Sequence, residues 1–174
     1  MSEDKLEVMV VDDSEKWRDF DKRFLEKRGY RVASSEGSYQ AIEDLAIRLY
    51  KGKKLPDIFF CDMQDRDYAI AVMVIHDKSI SVHPVMPANI LNYLKSKKVK
   101  PQFVIANTSA CSEEDKKVAE LFGFPLLDKG DFDMKKSFFP DLSGKPKEGA
   151  LRTYAESYQK ACEKLEDSVG DARW

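Results

Sequence analysis

The chain has 174 residues, 34% of them charged, and a formal net charge of −2 at pH 7. This length suits one domain, and the near balance of charges argues against duplex DNA as a partner, because the phosphate backbone favours a clustered basic face. No apolar segment is long enough to cross a membrane, and the three cysteines lack the spacing of a disulfide framework or a zinc site. The composition therefore indicates a cytoplasmic protein with reduced thiols.

The first half of the chain alternates between strand-like and helix-like segments. Residues 6–11 form an apolar run typical of a buried strand, and Ser14 is placed to cap a helix that ends at Gly29. The elements that follow are a weak strand at residues 30–33, a helix whose apolar face runs from Tyr39 to Leu49, and a strand at residues 58–61.

The second half continues this alternation after a long irregular stretch. Apolar residues at helical spacing predict one helix around Ile90 and another with Val118, Leu121 and Phe122 that ends at Gly123. The remaining predicted elements are strands at residues 102–107 and 126–127 and a final helix from about residue 149 to 167.

Strands separated by helices predict a parallel sheet, because right-handed crossovers place the helices on both of its faces. The fold class is therefore α/β, in one domain whose core spans roughly residues 5–165. Two segments between the predicted elements are long. Residues 65–88 are predicted to be an insertion, either a hairpin or a helix, and residues 130–148 an extended loop whose phenylalanines cover the core or a partner surface.

Three acids directly follow apolar strands. Asp12 and Asp13 close the first predicted strand, and Asp62 closes the third. Because the carboxyl ends of parallel strands lie at one edge of a sheet, these carboxylates are expected to lie close together. Oxygen ligands of this kind are those that Mg²⁺ prefers, so the sequence predicts a magnesium site at this edge.

The order of elements and the residues at the strand ends resemble the receiver domain of two-component response regulators. The resemblance implies a doubly wound, parallel five-stranded sheet of flavodoxin-like strand order 2-1-3-4-5, with helices on both faces. Sequence and family pattern agree at the acids Asp12, Asp13 and Asp62, at a hydroxyl that is either Thr108 or Ser109, and at Lys129.

The resemblance also implies a role for each of these residues. Asp62 is the phosphoacceptor, since an ionised carboxylate can attack phosphorus without first losing a proton. The lysine and the hydroxyl contact the phosphoryl oxygens. The implied metal site consists of Asp13 and Asp62 as direct Mg²⁺ ligands, the backbone carbonyl of Gln64, and Asp12, which acts through water or orients the site.

Two positions depart from the family pattern. Leu126 stands where the family has an aromatic residue, and Gly130 stands where it has proline. The aromatic residue ordinarily changes its packing on phosphorylation, so its replacement puts the usual route of signal transmission in doubt.

The resemblance implies a stand-alone receiver with no output domain. It would accept a phosphoryl group from a histidine kinase or a histidine phosphotransfer protein and act by contact with a downstream protein, with a homodimer as one option and with neither nucleic acid nor membrane as a partner. Two alternatives remain open. One is a degenerate receiver that binds partners regardless of phosphorylation, and the other is a Mg²⁺-dependent phosphohydrolase that uses Asp62, Asp65 and Asp67.

Overall fold

Five parallel strands form the centre of the computed structural model, which describes residues 5–64, 85–101, 103–109 and 112–171. Their order is β2-β1-β3-β4-β5, so both the predicted fold class and the flavodoxin-like strand order are confirmed. The strands are β1 (Glu7–Val11), β2 (Arg31–Ser35), β3 (Ile58–Asp62), β4 (Phe103–Thr108) and β5 (Leu126–Asp128).

Helices connect the strands and cover the sheet. Ser14 caps the first helix as predicted, since its side chain accepts a hydrogen bond from the backbone N–H of Trp17. The helix that was predicted to end at Gly123 does so, with this glycine in the left-handed conformation at φ 76°. The helices are α1 (Glu15–Lys27), α2 (Ser38–Tyr50), α3 (Met86–Ser96), α4 (Glu113–Phe122), α5 (Phe132–Phe138) and α6 (Lys147–Asp171).

Helix α5 lies in the segment that was predicted to be a loop. The Asp131 side chain caps it by accepting a hydrogen bond from the N–H of Met134 at 3.0 Å. Phe138 and Phe139 are fully buried and do cover the core, whereas Phe132 keeps 45% of its surface exposed. Residues 65–84 of the predicted insertion lie outside the described residues. Its last residues, 86–88, belong to α3, so the predicted end of the insertion was wrong.

The sheet carries a separate hydrophobic core on each face. One core joins side chains such as Val11 and Cys61 to α2, α3 and α4, and the other joins Val10 and Phe60 to α1, α5 and α6. The helical face predicted for α4 was wrong at Leu121, which is 81% exposed. None of the helices in the described ranges has the length and apolar character needed to cross a membrane.

This layering also sets the direction of the strand-end acids. Successive side chains of a strand point to opposite faces of the sheet. Asp12 comes two residues after Val10, and Asp62 comes two residues after Phe60. Both acids therefore follow the face that α1, α5 and α6 cover, at the carboxyl edge of the sheet.

Candidate functional site

The three strand-end acids form one cluster. Oxygens of Asp12, Asp13 and Asp62 all lie within 4.8 Å of one another. They meet because β1 and β3 are adjacent parallel strands whose register pairs Val11 with Cys61. Asp12 is buried, while the other two acids are partly exposed, so the cluster is reachable from solvent. The expectation that these carboxylates lie together is confirmed.

A buried lysine completes the cluster. The Lys129 ammonium lies 2.7 Å from Oδ2 of Asp12 and 3.4 Å from Oδ1 of Asp62. Lys129 follows β5 directly, and its backbone N–H donates to the carbonyl of Thr108 at 2.8 Å. Only 4% of the lysine is exposed, so its charge is directed into the acidic cluster rather than into bulk water.

Backbone contacts hold the acids in place. Oδ1 of Asp12 accepts a hydrogen bond from the N–H of Ser14 at 2.9 Å, and Oδ1 of Asp62 accepts one from the N–H of Met63 at 2.9 Å. The guanidinium of Arg18 donates to the backbone carbonyl of Asp12 at 2.8 Å. These bonds limit the rotation of both carboxylates. They involve only Oδ1 of each carboxylate, so its second oxygen remains for another partner.

The electrostatics of the site oppose the ionisation of one carboxyl group. Burial, followed by the charge of Asp12, raises the pKa of Asp62 from its ordinary 3.8 to about 7, although the nearby Lys129 ammonium acts in the opposite direction. The cluster has three carboxyl groups, and the Lys129 ammonium contacts two of them, Asp12 and Asp62. A divalent cation would offset this excess of negative charge, and oxygen ligands suit Mg²⁺.

The remaining predicted residues lie around this edge. Thr108 is the last residue of β4 and is buried, whereas Ser109, directly after the strand, is exposed. Gln64 is exposed and forms an isolated antiparallel bridge with Val85.

Sequence reasoning missed one polar residue at this edge. Asn107 pairs with Asp62 in the β3–β4 register and is 2% exposed. Within the described part of the chain, its Oδ1 atom is buried without a hydrogen-bond partner. A polar residue near the end of an apolar strand was the only available signal, and the strand was predicted to end there.

A parallel sheet of order 2-1-3-4-5 with helices on both faces is the fold that the resemblance to receiver domains implied. The comparisons agree with this assignment. No family model matches the chain, and no curated protein sequence does so. Solved receiver structures do match, and they confirm the resemblance at the level of the fold.

Three of these structures illustrate the similarity. The chemotaxis protein CheY4 of Vibrio cholerae has 16% identity and a TM-score of 0.54, over 72% of this chain and 88% of that one. A mutant of the receiver domain of the histidine kinase CKI1 from Arabidopsis thaliana has 22% identity and a TM-score of 0.53, over 71% and 80%. The signal receiver domain of an HD domain-containing protein from Pseudomonas fluorescens has 13% identity and a TM-score of 0.53, over 94% and 98%.

Proposed function

We propose that this chain is a response-regulator receiver that accepts a phosphoryl group on Asp62 in a Mg²⁺-dependent reaction. The observation that supports this proposal is the convergence of Asp12, Asp13, Asp62 and Lys129, which are far apart in sequence, at the carboxyl edge of one sheet. Each of these residues has a distinct task in the proposed reaction.

Asp62 is the nucleophile. One of its carboxylate oxygens attacks phosphorus in line, and an O–P bond forms as the bond from phosphorus to the donor breaks. With a phosphohistidine donor, the departing imidazole nitrogen keeps the electron pair of that bond. The product is an acyl phosphate on Asp62, and no base is needed once the carboxyl group is ionised, the form that a bound divalent cation would favour.

The acidic cluster fits Mg²⁺ by its chemistry, since it offers three carboxylates and an excess of negative charge. The carboxylates of Asp12, Asp13 and Asp62 and the carbonyl of Gln64 would hold the ion. When bound, Mg²⁺ neutralises charge that develops on the phosphoryl oxygens. Its charge also favours the ionised form of Asp62, whose pKa is about 7 in the protein alone.

Lys129 supplies the positive charge that the protein itself brings to the phosphoryl oxygens. Its ammonium lies 3.4 Å from Oδ1 of Asp62, so a short movement brings it from the acids to a group bound there.

The strand register favours Ser109 over Thr108 as the hydroxyl that contacts the phosphoryl group. Asn107 pairs with Asp62, so the two share a face, and Thr108 points to the opposite one. Ser109, two residues after Asn107, returns to the face of Asp62. We expect Ser109→Ala to slow phosphorylation about tenfold and the isosteric Thr108→Val to leave the rate nearly unchanged.

The proposed partners are a histidine kinase or a histidine phosphotransfer protein as the donor and a downstream protein that senses the change. We place the reaction in the cytoplasm, and a homodimer is a second means of output.

Two alternatives can be separated from this proposal by experiment. Leu126 at the position of the usual aromatic residue favours a degenerate receiver, and unchanged partner affinity in the presence of beryllofluoride, a phosphoryl mimic, would support it.

The alternative of a phosphohydrolase would require repeated turnover of a phosphate ester. Two of its proposed acids, Asp65 and Asp67, lie outside the described residues.

The proposal is tested by the intact mass of the chain after incubation with a small acyl phosphate and Mg²⁺. We expect a gain of one phosphoryl group that is lost in Asp62→Asn and greatly slowed in Lys129→Met. Asp133→Asn, which changes an exposed aspartate of α5, is the matched control and should phosphorylate normally. A mass gain that survives Asp62→Asn, or no gain in the wild-type chain, would refute the proposal.

A further inference from the structure

A second buried ion pair lies beside the acidic site. The ammonium of Lys135, on α5, is 2.7 Å from Oδ1 of Asp21, on α1, and the two side chains are 0% and 2% exposed. This pair joins the short helix that follows Lys129 to the helix that follows Asp12. It therefore ties together the two chain segments that leave the site.

Aromatic rings surround the Lys135 ammonium. Its Nζ atom lies 5.4 Å from the ring centre of Trp17 and 5.1 Å from that of Phe20. Phe60 and Phe132 are at 5.6 and 5.8 Å. Cation–π attraction to such rings offsets part of the hydration that a buried ammonium loses.

Trp17 is shared between this cage and the acidic site. The Lys129 ammonium also lies over its ring, 5.5 Å from the ring centre. The carboxylates of Asp12 and Asp62 lie 2.7 and 3.4 Å from the same ammonium. The indole therefore lies against this ammonium together with the carboxylates of Asp12 and Asp62.

Few residues separate Trp17 and Lys129 from the strands that form the site. Trp17 is in the first turn of α1, where its N–H donates to Oγ of Ser14 at 3.4 Å. After Lys129, a turn with Gly130 leads directly to Asp131, the cap of α5. Gly130 lacks the ring that fixes φ in proline, so the orientation of Lys129 depends more on its contacts.

We propose that Trp17, supported by the Asp21–Lys135 pair, is a positioning residue that directs the ammonium of Lys129 towards the group bound at Asp62. This role depends on the phosphotransfer proposed above. The ring blocks orientations in which the lysine would turn away from the acids, and its face attracts the ammonium in the orientation that remains. Trp17 itself contacts no reacting atom.

The test compares the phosphorylation rates of three variants over a range of Mg²⁺ concentrations with a small acyl phosphate as donor. We expect Trp17→Leu to lower the rate at saturating Mg²⁺ about tenfold while the Mg²⁺ concentration for half-maximal rate stays within about twofold of wild type. Trp17→Phe, which keeps an aromatic face, should recover most of the rate. Phe24→Leu is the matched control on the same helix, because Phe24 lies over Arg28 rather than over either lysine.

Three results would overturn the inference. One is a wild-type rate in Trp17→Leu, another is an equal loss of rate in Phe24→Leu, and the third is a Trp17→Phe rate no better than that of Trp17→Leu. The last two would indicate a general loss of packing.

A second measurement does not depend on phosphorylation. The chain has two tryptophans, so Trp174→Phe leaves Trp17 as the only fluorescent indole. We expect Lys129→Met to change the Trp17 emission in that background, because it removes a cation from the ring face. An unchanged spectrum would contradict the contact. A wild-type chain that accepts no phosphoryl group would instead refute the proposed function, so the two failures are distinguishable.

Discussion

The described part of the protein contains two buried lysine–aspartate pairs, and their surroundings differ. The distance is 2.7 Å in both Lys129–Asp12 and Lys135–Asp21. The second pair is closed, with both side chains 2% exposed or less and with aromatic rings around the ammonium. The first pair opens onto further carboxylates, including that of Asp62, whose side chain is 13% exposed.

This contrast separates a structural pair from a reactive one. In the closed pair, the Lys135 ammonium donates a hydrogen bond to the Asp21 carboxylate, and removing either partner would leave the other charge buried without that bond. In the open pair, one ammonium serves several carboxylates, so negative charge remains in excess. Burial raises the pKa of both Asp21 and Asp62, but only Asp62 adjoins a site that a cation can reach.

The largest expected effect comes from breaking the closed pair. Lys135→Met leaves Asp21 buried without its ammonium, and we expect it to lower the free energy of unfolding by about 3 to 5 kcal/mol. Urea denaturation measures this loss. The double variant Asp21→Leu with Lys135→Met replaces the pair by apolar groups and should regain most of the stability. A double variant as unstable as the single one would show that the unpaired charge is not the cause.

A smaller effect is expected at the open pair. Lys129→Met removes an ammonium from a site in which two of the carboxylates are partly exposed, and we expect it to lower the free energy of unfolding by about 2 kcal/mol. Saturating Mg²⁺ should stabilise this variant more than it stabilises wild type, because the remaining acids attract the ion more strongly. Thermal unfolding with and without Mg²⁺ measures the difference. Equal stabilisation of Lys129→Met, Lys135→Met and wild type would remove the distinction between the pairs.

Ionisation of Asp62, in the open pair's site, is expected to destabilise the folded protein as pH rises above about 4. The folded-state pKa of Asp62, about 7, is above its ordinary 3.8, so between these values the folded chain holds a proton that the unfolded chain has released. Stability from this group is therefore lost as pH rises from about 4 to 7. A shift of this size corresponds to about 4 kcal/mol, and water access to the partly exposed carboxyl group reduces the effect. Without Mg²⁺, we therefore expect Asp62→Asn to be more stable than wild type at pH 8 by about 1 to 2 kcal/mol.

The pH dependence provides the check on that expectation. The difference in unfolding free energy between Asp62→Asn and wild type should grow from pH 4 to pH 7 and then level off. A difference that is constant over this range would contradict the raised pKa.

The smallest effect is expected at an exposed pair. Lys116 and Glu113 on α4 are 3.1 Å apart, but their side chains are 48% and 83% exposed. Water screens this interaction, so Lys116→Met should change the unfolding free energy by no more than about 0.5 kcal/mol. A loss as large as that of Lys129→Met would mean that burial does not explain the ranking.

The central sheet and its acidic edge were predictable because both depend on local signals. β1 and β3 are short apolar runs that end at acids, and parallel strands end at the same edge. Lys129 also follows a strand directly, but its place in the site was predicted from the resemblance to receiver domains rather than from the strand end. The cluster of Asp12, Asp13 and Asp62 therefore followed from strand ends alone, before any contact was known.

The closed pair could not be predicted, since Asp21 and Lys135 are 114 residues apart and neither occupies a strand end. A charged residue on an amphipathic helix is ordinarily expected to face solvent, and here both are buried. The choice between Thr108 and Ser109 was open for a different reason. It depends on the cross-strand register, and a shift of one residue reverses the face.

The most direct test of the central claim is to locate the phosphoryl group. Borohydride reduces an acyl phosphate of aspartate to homoserine, which peptide mass spectrometry assigns to a position. After treatment with a small acyl phosphate, we expect homoserine at residue 62 when Mg²⁺ is present and none when it is chelated. Homoserine at another aspartate, or its formation at residue 62 without a divalent cation, would contradict the account.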